Sequence, residues 1–165
     1  MNSKITLSPT LYFSYSQFMV YDASVRLPGC AWTEKHSAQG FARRESTVNF
    51  NTPLEFGYAH VTVRLENYQP QVEYNRVIAV PFLAVSGKII VDGPEEMSVQ
   101  RTFNLTLGNY RLVAAQRITG NEEEVIDLFF ESLTEPLERS AVLVADDALN
   151  PPTPLIEMAE TAGEK

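Results

Sequence analysis

The residue types that most often carry out catalysis are scarce in this chain of 165 amino acids. Its histidines are His36 and His60, and its cysteine is Cys30. A catalytic thiolate needs a neighbouring histidine and an electropositive pocket, so Cys30 is better interpreted as a small, half-buried hydrophobe. Zinc needs clustered cysteine and histidine, and the sequence has no glycine-rich phosphate loop and no nucleophile elbow. It therefore predicts a protein that is not an enzyme and has no cofactor or metal site.

Carboxylates are concentrated near the carboxyl terminus. Residues 1–120 have a formal charge of +2 and residues 121–165 one of −10, within a total of −8. Such a segment attracts a basic partner and repels nucleic acid, and its simpler interpretation is a solvated tail that keeps the protein in solution. The carboxylates that could dock onto a basic partner are Glu122, Glu123, Glu124, Asp127 and Glu131.

The elements that position these groups are indicated by apolar residues at every second position. Ala59–Leu65 and Val99–Leu107 alternate in this way, which is typical of strands with one solvent-exposed face. Leu11–Tyr21 also alternates, but its phase slips by one residue, which predicts a bulge or bend near Ser16–Gln17. Val48 and Phe50 mark a further short strand.

A second group of signals concerns buried strands and turns. Val77–Val85 is almost entirely apolar, as in a strand buried on both faces, and Pro81 within it predicts an edge position or a bulge. Ser86–Gly87 predicts a tight turn and a hairpin with Lys88–Val91. Gly108–Asn109 predicts another hairpin, between the strand that ends at Leu107 and the one that follows.

Two segments test the strand interpretation. Glu123–Leu133 fits a strand and a helix equally well by its apolar spacing, and its aromatic content favours the strand. Thr33–Gln39 is predicted to be a short helix, because Thr33 is a good N-cap, Glu34 suits the first turn and Gly40 suits the end.

These signals together predict an all-β fold. About seven or eight short strands with frequent turns are typical of an antiparallel β-sandwich. The sandwich domain is expected to span residues 1–145 with one short helix, and residues 146–165 to form a disordered, acidic, proline-containing tail. No apolar run reaches roughly 18 residues, so no membrane insertion is expected, and without a visible signal peptide the cytoplasm is the expected location.

The order of several short motifs resembles the competence protein J family, small proteins that inhibit the DNA-entry nuclease of transformable bacteria. The likeness covers about residues 7–133. The motifs are Ser14–Phe18, Trp32–Glu34, Gly40–Phe41, Val48–Phe50, Val80–Phe82, Phe103–Leu105, Gly108–Leu112 and Val125–Asp127.

The resemblance implies a stoichiometric inhibitor that occludes the active site of a nuclease with a basic cleft, and it implies no catalytic residues. Trp32 would then be either part of the core or an anchor at the interface. Two alternatives stay open: an immunity protein against a toxin nuclease, and a sandwich that binds carbohydrate or peptide in a groove lined by Tyr12, Tyr15 and Tyr21. Direct nucleic-acid binding is disfavoured by the negative charge, and the oligomeric state is left open.

Overall fold

Two β-sheets and one short helix make up the part of the chain that the computed structural model describes, residues 5–7, 10–13, 17–54, 57–93, 101–120 and 123–162. The helix, α1, spans Glu34–Gln39. The twelve strands in these residues are β1 Ile5–Leu7, β2 Thr10–Phe13, β3 Gln17–Asp22, β4 Phe41–Arg44, β5 Thr47–Asn51, β6 Gly57–Arg64, β7 Arg76–Ala84, β8 Lys88–Asp92, β9 Arg101–Asn104, β10 Gly108–Gly120, β11 Glu123–Leu133 and β12 Ala141–Val144. The predicted sandwich class is confirmed, with more strands than expected.

The larger sheet has seven strands in the order β1-β6-β11-β10-β7-β12, and β2 also pairs with β6. The smaller sheet has five strands in the order β4-β5-β3-β8-β9. Pairing is antiparallel between all the described strands except β6 and β11, which run parallel. The long hairpin of β10 and β11 therefore lies at the centre of the larger sheet.

The main core lies between the two sheets, and aromatic rings join its layers. Phe130 of β11 contacts Phe103 of β9 in the opposite sheet, with ring centroids 5.4 Å apart. Phe82 of β7 meets the same ring edge-on at 5.8 Å. A smaller apolar cluster lies on the outer face of the larger sheet, where Tyr68 and Tyr74 of the segment between β6 and β7 cover Phe129. Each fully buried apolar side chain contributes about 1.5–3 kcal/mol to the free energy of unfolding.

The phase slip in Leu11–Tyr21 marks a change of sheet. β2 pairs with β6 in the larger sheet, whereas β3 pairs with β5 and β8 in the smaller one. The predicted bulge or bend near Ser16–Gln17 lies partly outside the described residues, because Gln17 is the first described residue after the break. The phase slip therefore falls where the chain leaves one sheet for the other.

Both predicted hairpins are wrong, since each turn connects strands of different sheets. Ser86–Gly87 joins β7 to β8, and Gly108–Asn109 lies where the chain passes from β9 to β10. The first crossing is held by Asp22, whose carboxylate accepts the backbone N–H groups of Val85 and Ser86 at 2.8 and 3.0 Å. A tight turn between two alternating strands does not by itself distinguish a hairpin from a crossing.

Three local predictions are confirmed. Glu123–Leu133 is the strand β11, and Thr33 caps α1, which ends at Gly40 in the left-handed conformation with φ of 90°. Pro81 lies at an edge, because β12 pairs with β7 only at residues 77–79. The missing N–H of a proline costs little stability where no neighbouring strand would accept a hydrogen bond from it.

The disordered tail is also a wrong prediction, as far as residue 162, the last one described. Residues 146–162, named here the C-terminal strap, run beside the edge strand β4. The Ala159 N–H donates to the Arg43 carbonyl at 2.9 Å, and the Gln39 side chain bonds the backbone of Ile156 in both directions, at 2.9 and 2.8 Å. A segment without periodicity can thus be ordered by covering a sheet edge.

Candidate functional site

The carboxylates predicted on β11 are separated by the alternation of the strand. Successive side chains of a strand point to opposite faces, so Glu124 enters the space between the sheets, together with Ile126 and Leu128 of the core. Asp127 and Glu131 lie on the other parity, that of Phe129 in the outer cluster. One row of acidic residues in the sequence therefore becomes two groups on opposite faces.

Asp127 is tied into the fold on the outer face. Its carboxylate accepts the hydroxyl of Tyr74 at 2.6 Å and the Nε–H of Arg64 at 3.2 Å. Burial, and next the hydrogen bond to Asp127, raise the pKa of Tyr74, so the phenol stays protonated. The Asp127 side chain is only 11% exposed, which leaves little of its charge for a partner.

Glu131 has a comparable structural role further along β11. It accepts Nη1–H of Arg111 at 2.9 Å and the backbone N–H of Tyr68 at 2.8 Å. The second bond fixes the segment between β6 and β7 over the outer face. Most of the Glu131 charge is therefore compensated inside the protein.

Glu124 is 1% exposed, and neither of its oxygens has a hydrogen-bond partner that meets geometric criteria within the described chain. Burial raises the pKa of its carboxyl to about 8, against the opposing influence of the Leu54 backbone and of Arg76, and Asp146 adds to the rise. Arg76 is already paired with Asp146 at 2.9 Å. Glu124 is thus largely uncharged at neutral pH and cannot present negative charge to a partner.

The remaining predicted contacts lie apart from these carboxylates. Glu123 is exposed, and Glu122 lies outside the described residues. Trp32 is half-buried before α1, and its ring meets His36 edge-on at 6.4 Å. The indole nitrogen of Trp32 is buried without an acceptor among the described residues, and the His36 Nε2 lies 3.3 Å from the carbonyl oxygen of Met158 in the strap.

Other residues considered for chemistry also have structural settings. Cys30 is buried, and burial raises the pKa of its thiol against the influence of Arg44 and Arg43, so the thiolate form is disfavoured. Tyr21 is buried at 6% exposure and does not line an open groove; the side chains of Tyr12 and Tyr15 are not described. In the ranges described, no group of three or more His, Cys, Asp or Glu residues could hold a metal ion.

Acidic side chains meet instead at a groove beside the open edge of β7, which sequence reasoning missed. This edge groove, of about 340 Å³, is bounded by Glu45 in the β4–β5 turn, Leu83 of β7, Leu137 and Glu138 after β11, and Met158 of the strap. Glu138 belongs to the acidic last quarter to which the charge balance drew attention. No pattern in the sequence pointed to Glu45, because the β4–β5 turn that carries it reaches the groove only in the folded chain.

The fold defines a class: a β-sandwich protein of two sheets, here with an acidic surface groove. A family model described as competence protein J (ComJ) matches residues 10–135. The chain belongs to this family. A relative from Bacillus subtilis (strain 168), described as a DNA-entry nuclease inhibitor, is 26% identical over 102 residues, which are 62% of this chain and 75% of the relative.

Solved structures show the same fold. The crystal structure of ComJ from Bacillus subtilis, described as an inhibitor of the DNA degrading activity of NucA, has a TM-score of 0.69 at 21% identity and covers 81% of this chain and 100% of that one. A protein described as crocagin biosynthetic gene J has a TM-score of 0.50 at 14% identity, covering 78% and 98% of the two chains. Among the described residues, no helix has the length and apolarity to cross a membrane.

Proposed function

We propose that this chain is a protein inhibitor of a DNA-entry-type nuclease, which it binds stoichiometrically and whose active site it occludes. The observation that carries the proposal is membership of the competence protein J family over residues 10–135. The description of the Bacillus subtilis relative as a DNA-entry nuclease inhibitor supports the choice of partner.

The proposed mechanism is electrostatic docking. A nuclease presents a positive cleft to phosphates, and a protein with a formal charge of −8 can place carboxylates there. Complementary charge accelerates association and makes it sensitive to salt, while apolar contacts slow dissociation. Glu123, which is exposed, and Trp32, which is half-buried, stay predicted contacts. The buried Glu124 and the internally bonded Asp127 and Glu131 serve the scaffold in this proposal.

The test is a titration of a purified DNA-entry nuclease, with a linear DNA substrate, by the full-length protein. We expect nuclease activity to fall linearly and to end near one equivalent of inhibitor, and the apparent Kd to rise with salt. An unrelated protein of similar size and charge serves as the control. Undiminished activity at a large molar excess of the inhibitor would refute the proposal.

Three further points belong to the same proposal. An immunity protein against a toxin nuclease would use the same chemistry, and a parallel titration of such a toxin decides which nuclease is bound more tightly. The proposed location is the cytoplasm, which cell fractionation with an antibody against the chain would test. The partner's basic cleft would appear as loss of inhibition when its lysines and arginines are neutralised.

A further inference from the structure

We propose that the edge groove is the surface that receives the partner, and that its occupant is a loop of the nuclease that presents a lysine or arginine between apolar residues. This inference rests on the proposed function and adds to it a place on the molecule and a chemistry of recognition. It concerns residues on four separate segments that the fold brings together: the β4–β5 turn, β7, the segment after β11 and the strap.

The groove exists because one edge of the larger sheet is only partly covered. β12 pairs with β7 at residues 77–79 and no further, which leaves Pro81–Leu83 without a strand on that side. The Leu83 N–H instead donates to the carbonyl of Glu45 at 2.9 Å, and the Ser46 hydroxyl donates to the carbonyl of Leu83 at 2.7 Å. These bonds join the two sheets and give the groove a fixed floor.

The rim of the groove carries more negative charge than positive charge. Glu45 and Glu138 are exposed, and neither forms an ion pair within the described chain. Glu157, which also lines the groove, is paired with Arg43 at 3.6 Å and accepts the Ser140 hydroxyl at 2.8 Å. Arg43 also interacts electrostatically with Glu45. Its single positive charge is set against three carboxylates that line the groove, so the rim keeps a net negative charge.

Arg43 forms part of the groove wall, and one of its hydrogen-bond donors has no acceptor among the described residues. Arg43 is 5% exposed and lines the groove, and its Nη1–H donates to the carbonyl of Glu157 at 2.8 Å. The Nε–H of Arg43 has no acceptor among the described residues. A buried donor without an acceptor is uncommon in a protein interior, and this one belongs to a residue that lines the groove.

The floor offers apolar contact to the stem of a basic side chain. Met158 is 53% exposed, and Leu83 and Leu137 are half-buried beside it. Methionine is common at binding surfaces because its flexible thioether adapts to a partner. Lysine and arginine bury their aliphatic stems on apolar surface while the charged head reaches carboxylates. An apolar floor with an acidic rim therefore matches a basic residue flanked by apolar ones.

The test compares two variants with the same change of formal charge, from −8 to −4. Glu45→Lys with Glu138→Lys reverses the rim, and Glu73→Lys with Asp147→Lys reverses two exposed carboxylates elsewhere. We expect the rim variant to weaken binding to the DNA-entry nuclease by well over tenfold, and the control by about threefold at most, because long-range attraction changes equally in both. Thermal unfolding checks that both variants fold.

A second variant keeps the proposal falsifiable at the floor. Met158→Ser should accelerate dissociation about fivefold or more and leave the slope of affinity against salt unchanged. Equal effects of the rim and control variants, together with unchanged dissociation of Met158→Ser, would overturn the groove assignment. If the wild-type protein does not inhibit the nuclease at all, the proposed function fails instead, so the two failures are distinguishable.

Discussion

Two acidic regions of this molecule differ in how much negative charge they present to solvent. The carboxylates of β11 are the densest in the sequence, yet Glu124 is buried and Asp127 and Glu131 are bonded to neighbouring side chains and backbone. The edge groove has fewer carboxylates, but Glu45 and Glu138 are exposed and unpaired in the described chain. The density of acidic residues in a sequence is thus a poor measure of the charge that a surface presents, because strand parity and internal pairing decide how much of it remains.

The largest expected effect breaks the buried network on β11. Asp127→Ala removes the acceptor of the Tyr74 hydroxyl and one of the two carboxylates paired with Arg64, which keeps Glu66 at 3.5 Å. Leaving the buried hydroxyl unsatisfied and losing the ion pair should together cost about 3 kcal/mol. Urea unfolding monitored by fluorescence measures this loss. Glu123→Ala, on the same strand but exposed, is the control and should change the free energy of unfolding by less than about 0.5 kcal/mol. Similar values for both would mean that Asp127 is not part of the scaffold.

The next effect concerns pH and Glu124. Its folded pKa of about 8 lies above the ordinary value of 4.5, so the folded state binds more protons than the unfolded state between these values. Wild-type stability should therefore fall as pH rises from about 4.5 to 8, by roughly 1.4 kcal/mol for each unit of pKa separation.

The variant Glu124→Gln removes this titration while keeping the shape of the side chain. We expect it to match the wild type near pH 5 and to become progressively more stable than the wild type as the pH rises toward 9. Thermal or urea unfolding of both proteins across this range isolates the contribution of Glu124 from that of other groups. A constant difference between the two proteins at all pH values would show that Glu124 ionises normally in the folded state.

A smaller effect is expected at Glu131. Glu131→Gln keeps an acceptor for the Tyr68 N–H but removes the ion pair with Arg111, which is partly exposed. The cost should be about 1 kcal/mol and should shrink at high salt. Hydrogen exchange of the segment between β6 and β7 measures the change locally. Inhibition of the nuclease per folded molecule should be unaltered, since the carboxylate faces the scaffold.

Much of the fold follows from the sequence for identifiable reasons. Alternating apolar residues predicted β6, and aromatic content favoured a strand for β11. The cap Thr33 and the terminator Gly40 marked both ends of α1. Each of these signals lies within the element that it predicts, so no contact with a distant residue is needed to interpret it. Pro81 similarly indicated an edge, because a proline lacks the N–H that a central position requires.

The rest depends on contacts between distant residues. The turn at Ser86–Gly87 connects two sheets because Asp22, 63 residues away from Val85, captures its N–H. The strap is ordered because Gln39 and Arg43 bond its backbone, which no pattern in residues 146–162 reveals. Glu123 and Glu124 were both predicted as partner contacts, and strand parity separates them. The partners of Asp127 and the neighbours of Glu45 were not available from the sequence.

The most direct test of the central claim is the salt dependence of the Kd between the protein and its nuclease partner. The wild type should give a steep slope of log Kd against log salt concentration. In the variant Glu45→Gln with Glu138→Gln the slope should fall substantially, whereas Glu131→Gln should retain it. The groove assignment would be contradicted if the slope stayed steep in Glu45→Gln with Glu138→Gln but fell in Glu131→Gln. That result would mean that the partner binds the carboxylates of β11.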